Sequence, residues 1–375
     1  MLRRKEQPMR KAISLIAGAA MIFSLAACAE KPVPQPVATR TAEIAISDQQ
    51  YQDIAAQTVA LLNAADQTHA IDELKARAQD PFLEQRAAQY KLKGLQESFE
   101  LPPVVIDVKA QPVESGAGFP RSMLSYSAPV EGQNQRTLTA WQQLDARSNY
   151  KLWGQVTLFP DSGLPTLASV LNDDSAVPSK NPQAYLADPA QLIAAYAEYV
   201  NTQQLGQVPF ESGDRVATNL KGQLDQLVED LGDFAEISLK ARDSERPIVG
   251  VSTQDGGLVV LGNLLYDVTY TSKNADRPIV LKNSPIALLY SEDAEKADLE
   301  IGSETPLTAH YSMTLAFYIP PKAAKADSAQ KDTSKDGDNK EAAEKSGDKE
   351  ADAQPEAPMV RLIGASTNIL IGASV

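Results

Sequence analysis

The hydrophobic period of this chain changes from 3.6 to 2, and it does so twice; that order restricts the fold more than any single motif. Ser47 followed by Gln50 three residues on is a capping-box pattern. Tyr51, Ile54, Ala55, Thr58, Leu62 and Ala65 then recur at helical spacing and predict one buried stripe. Asp80-Pro81 reads as an N-cap followed by proline at the first helical position, with Leu83, Ala87 and Tyr90 on the next stripe. From Leu101 the period is 2, which predicts strands over 104–111, 122–128, 137–144 and 150–159. Turn residues at 116–118, 131–134 and 147–149 separate them, as in an antiparallel meander.

Residues 161–183 form a polar connection, after which the order repeats. Asp188-Pro189 opens a helix with Leu192, Ile193, Tyr196, Tyr199 and Val200 on one face. A second helix carries Leu220, Leu224, Leu227, Val228 and Leu231 and stops at Gly232. Strands are predicted over 235–241, 248–253, 258–271, 279–290, 309–319 and 359–373, with a hairpin signal at Gln254-Asp255-Gly256-Gly257. The fold class this implies is α+β: two tandem domains, 47–160 and 184–375, each with N-terminal helices packed on a curved antiparallel sheet. No residue-level repeat links them.

Lys322–Pro358 interrupts the second domain with 7 lysines, 10 acids and no aromatic residue. Such a run buries too little apolar area to fold. Strand-like sequence resumes at Met359, so the run is expected to be an internal disordered loop, whose closure cost rises only logarithmically with length.

The first residues have a different character. Arg3, Arg4, Lys5, Arg10 and Lys11 precede the apolar stretch 12–27, which ends in Ala26-Ala27 before Cys28. This is the pattern of a secretory signal peptide over 1–27. Leu25-Ala26-Ala27-Cys28 resembles the lipobox of bacterial lipoproteins, which implies cleavage before Cys28 and a diacylglyceryl group on its thiol. Two acyl chains anchor stably where one does not. Residues 28–46, with the Pro-rich PVPQPV, read as a semi-stiff tether. The expected location is the extracellular face of the cell membrane.

Cys28 is the only cysteine, so lipidation leaves no thiol for disulfides, metals or nucleophilic catalysis. The two histidines, His69 and His310, are far apart in sequence and suggest no zinc site. A net charge of −14 argues against nucleic acid as a partner.

The repeated order behind a lipobox resembles an uncharacterised actinobacterial lipoprotein family with tandem NTF2-like or cystatin-like halves. The similarity rests on Glu84-Gln85-Arg86-Ala87-Ala88-Gln89-Tyr90, Pro120-Arg121, Tyr150-Lys151-Leu152-Trp153 and Asp255-Gly256-Gly257-Leu258-Val259-Val260. It implies a sheet wrapped on helices in each half and brings no catalytic residues, cofactor or metal.

Individual constellations point the same way. Ser148-Asn149-Tyr150-Lys151 fits the S-x-x-K of penicillin-binding enzymes, but its serine falls in a predicted turn. Glu229-Asp230 lie about 100° apart on a helix and do not face one substrate. Asp173-Asp174 fall in the linker. Strand parity places Trp141 and Trp153 on the face of the first sheet opposite Leu152 and Val156, near cross-strand partners. Either a helix or the second domain covers them, or they form an exposed platform for a glycan, peptide or protein. The expected function is a non-enzymatic binding or scaffold protein of the cell envelope, its partners the membrane and an envelope protein or glycan. The alternatives are a carboxylate-dependent enzyme in an NTF2-like pocket and a solute-binding lipoprotein of a transporter.

Overall fold

The computed structural model describes residues 46–115, 118–129, 135–168, 181–274, 276–296, 298–322 and 357–375. Cys28, the signal 1–27, most of the tether, Asp173-Asp174 and nearly all of the charged run 322–358 lie outside the described residues. The described residues form one compact unit.

Helix α1 (Asp48–Thr68) starts where the sequence predicts. Ser47 Oγ accepts from the Gln50 amide, and Gln50 Oε1 accepts from the Ser47 amide. A short α2 (Ile71–Leu74) and α3 (Phe82–Leu95) follow. Strands β1 (Pro112–Glu114), β2 (Arg121–Tyr126), β3 (Thr137–Gln143) and β4 (Lys151–Leu158) make an antiparallel meander. Residues 104–111, expected as a strand, join no ladder; instead the Gln155 carboxamide on β4 pairs with both backbone groups of Val105.

The second stretch begins with α4 (Leu192–Thr202) and α5 (Arg215–Leu231), the latter capped by Asp214 and stopped at Gly232. Then come β5 (Ala235–Asp243), β6 (Val249–Ser252), β7 (Leu258–Ser272) and β8 (Ile279–Lys282). The expected strand 279–290 is broken at Ser284-Pro285: Ser284 Oγ caps a short helix α6 (Pro285–Ser291) whose first position takes the proline. The remaining strands are β9 (Asp298–Ile301), β10 (Leu307–Ile319), β11 (Arg361–Ala365) and β12 (Ile369–Ser374).

The boundary expected at 161–183 does not divide the sheet. Its order is β1-β2-β3-β4-β11-β10-β7-β5, with β6 also on β7 and β12 also on β10, ten strands in all. The join is at β4 and β11, where Leu158 pairs with Gly364 and Thr157 with Ala365, and the Phe159 amide donates to Ile363 O. A Cβ on Gly364 would lie 2.7 Å from Thr157 O, so only glycine permits this close approach.

The long strands β7 and β10 change edge partners midway, and the sheet curls until β2 and β3 lie over β6. Four layers result. Helices α1 and α3 cover one face of β2–β4 through Tyr51, Leu62, Trp141 and Leu152. The other face of β2–β4 meets β6, β7 and β10 through Leu138, Trp153, Val251, Val259 and Ala316. Helices α4 and α5 cover the outer face of β7 and β10. Leu258-Val259-Val260-Leu261 is apolar at every position because that segment is buried on both faces.

Candidate functional site

The two tryptophans are not a surface. Trp141 is 0% exposed and Trp153 1% exposed. Trp141 lies under α1, edge-on to Tyr51 at 6.3 Å, whereas Trp153 lies in the core between the strand layers. The parity argument fails at a β-bulge. Ala140 pairs with Gly154 but Trp141 pairs with Leu152, so Trp153 is the extra residue and turns to the Val156 face. The expectation of a shared face, and with it the partner-surface reading, is corrected.

The other singled-out residues are accounted for locally. Ser148 closes the β3–β4 turn, its amide and hydroxyl both donating to Asp145. His69 ends α1 in the left-handed region and packs its ring 5.6 Å from Tyr90. Glu229 and Asp230 lie exposed on α5. His310 lies in β10, and its partners are given below.

The joining strands frame two adjacent cavities, of about 290 and 450 Å³. They share a wall made of Thr157 on β4 and Ser366-Thr367, which connect β11 to β12. Ser366 is held at the β10 edge, its hydroxyl accepting from the Thr314 amide and its own amide donating to Thr314 O. Such volumes are near the roughly 300 Å³ lower end for small-ligand sites.

The smaller cavity has an apolar floor of Phe82, Pro102, Pro103, Val104, Val156 and Ile369. Its polar lining is Gln85, Gln89, Gln155, Thr137, Thr157, Ser366 and Thr367, with one charged residue, Arg86. Arg86 is 2% exposed and already neutralised. Its Nε and Nη2 donate to the two oxygens of Asp66 at 2.9 and 2.5 Å, and its Nη1 donates to Gln89 Oε1 and Pro102 O. The Tyr90 hydroxyl donates to Asp66 as well, and burial together with that carboxylate pushes the phenol well above its ordinary range. This network ties α1, α3 and the 102–104 wall together. Gln85 donates to Ser312 Oγ, which also accepts from Asn263. Among the described residues, the hydroxyls of Thr157 and Thr367 have no protein partner, so they are free to meet a ligand.

The larger cavity adds Phe159, Arg215 and Asn219. Arg215 pairs with Asp161 at 2.9 Å in the open. No carboxylate lines either cavity among the described residues. The buried acids lie elsewhere. Asp214 caps α5 and accepts from Tyr196, and burial raises its carboxyl above the ordinary range. Glu114 accepts from the Tyr150 hydroxyl at 2.6 Å. Sequence reasoning missed this cleft because the lining of its smaller cavity alone comes from five separated segments. The one local signal was Ser366-Thr367-Asn368, a polar triplet inside an apolar strand run. No protein-family profile, curated protein or solved structure matches this chain.

Proposed function

We propose that this chain is a lipid-anchored protein of the cell envelope whose cleft at the β4–β11 join binds an uncharged glycan. The observation that carries the glycan reading is the lining: amides and hydroxyls that both donate and accept, an apolar floor, and no carboxylate. Hydroxyl-rich, uncharged ligands match such a surface, whereas the charged groups that line it among the described residues, Arg86 and Arg215, are already paired with Asp66 and Asp161. The cleft holds its ligand without transforming it, since acid–base chemistry needs a titratable group in reach of the substrate. The two helix-then-strand stretches are read as NTF2-like or cystatin-like halves fused along one sheet; their repeated element order supports this.

Calorimetric titration with neutral N-acetylated amino-sugar oligomers tests the glycan reading. Saturable heat is expected from the full chain, and none from the Thr157→Arg/Thr367→Arg double variant. The anchor is tested separately. Cys28→Ala should move the protein from the membrane to the soluble fraction or leave it unprocessed; a variant that still partitions into detergent with wild-type mobility would exclude lipidation there.

A further inference from the structure

Away from the cleft, the polar face of β7, β10 and β12 carries a second arrangement. Cross-strand pairing sets Asp267 opposite His310, and His310 opposite Gly372. His310 Nδ1 lies 2.8 Å from Asp267 Oδ1, and its Nε2 lies 3.0 Å from Ser374 Oγ. With the Nδ1 proton held by the carboxylate, Nε2 is left to accept from the serine hydroxyl. The position beside the ring is a glycine, Gly372, where a Cβ would lie 3.8 Å from His310 Cδ2; Ser374, two residues on, reaches the far nitrogen. Asp267 is further held by Arg242, whose Nε lies 3.6 Å from Oδ2. Ser374 is exposed, and the His310 and Asp267 side chains are 30% and 23% exposed, so a substrate can reach the hydroxyl from solvent.

We propose that Asp267, His310 and Ser374 form a nucleophilic triad that accepts acyl groups from activated acyl donors. The order of hydrogen bonds is carboxylate to imidazole to hydroxyl, which is the arrangement that activates serine in unrelated hydrolases. Ser374 Oγ attacks the donor's carbonyl carbon as its proton passes to His310 Nε2. The bond to the leaving group breaks, and His310 returns the proton to it. Water, deprotonated by the same nitrogen, then adds to the acyl carbon; the Ser374 Oγ–carbon bond breaks, the acid leaves, and His310 returns the proton to Oγ. Asp267 stabilises the imidazolium in both halves and keeps the ring in the required tautomer. The three side chains provide no hydrogen-bond donor for the tetrahedral oxyanion. The substrate class is therefore a donor with a good leaving group, a thioester or aryl ester.

Treating the full chain with a fluorophosphonate and mapping the adduct by mass spectrometry tests this. The reaction joins Ser374 Oγ to phosphorus and expels fluoride, so it reads nucleophile activation without a natural substrate. Ser374 should label roughly 100-fold faster than the exposed Ser47 and Ser238, the scale of a positioned base. The rate should fall to theirs in His310→Gln, and Asp267→Asn should lie between. Ser374→Ala, at an exposed position, should lose the adduct at that site while keeping the wild-type thermal midpoint. Labelling of Ser374 no faster than of Ser47 and Ser238 overturns the proposal, and so does fast labelling that survives His310→Gln. The Thr157→Arg/Thr367→Arg variant should label like wild type, which separates this outcome from that of the glycan reading.

Discussion

Trp141→Ala and Trp153→Ala should each lower stability by about 3–5 kcal/mol, the range for a large aromatic lost from a close-packed core. Each ring is buried, but they lie in different layers: Trp141 between α1 and the sheet, Trp153 between the two strand layers. They flank one bulge on paired strands, so the double variant should depart from the sum of the two losses through that shared backbone. Trp141 has a further property. Among the described residues its buried indole N–H has no hydrogen-bond partner, so Trp141→Phe removes an unsatisfied donor along with some packing area. That variant should cost much less than Trp141→Ala. Urea unfolding measures all of these. If the rings were an exposed platform, each alanine variant would shift stability by no more than about 0.5 kcal/mol.

Arg86→Ala should be as damaging by a different route. Removing the guanidinium leaves Asp66 with only the Tyr90 hydroxyl and strips donors from Gln89 Oε1 and Pro102 O. Breaking a buried pair by deleting one partner costs about 3–5 kcal/mol. Asp66 is 27% exposed, so solvent recovers part of that cost and the lower end is expected. Arg86→Lys should rescue little, because an ammonium cannot match the two-oxygen contact with Asp66. A double-mutant cycle with Asp66→Ala gives the coupling directly. Because Arg86 also fixes Pro102 in the cavity wall, ligand affinity should fall in the same variant. A loss below about 1 kcal/mol would mean that the pair contributes no more than an exposed salt bridge.

Much of the layout was legible because local signals agreed with the fold. The capping box at Ser47, the stripe on α1, the stop at Gly232 and the meander β2–β4 all appear where spacing and turn residues put them. Helix α6 was legible and misread. Ile286–Leu289 is too short for a period to show, and the signal lay in Ser284-Pro285. Two features could not be read at all. The bulge that separates the tryptophans depends on β3 skipping one residue of β4, a pairing choice that no composition reports. The join of β4 to β11 links residues about 200 apart and is made by two residue pairs and one glycine. The cleft and the Asp267–His310–Ser374 chain both depend on such long-range pairing. His310 alone, isolated in sequence, pointed to neither partner.

The central functional claim is that the cleft at this join binds uncharged, hydroxyl-rich ligands. The most direct test is one set of calorimetric titrations of the full chain, using N-acetylated amino-sugar oligomers and, at equal length, their deacetylated, positively charged counterparts. The account predicts saturable binding of the neutral oligomers alone, abolished when Thr157→Arg and Thr367→Arg fill the shared wall. Preference for the charged oligomers, or neutral-oligomer binding that persists in the double variant, would contradict it.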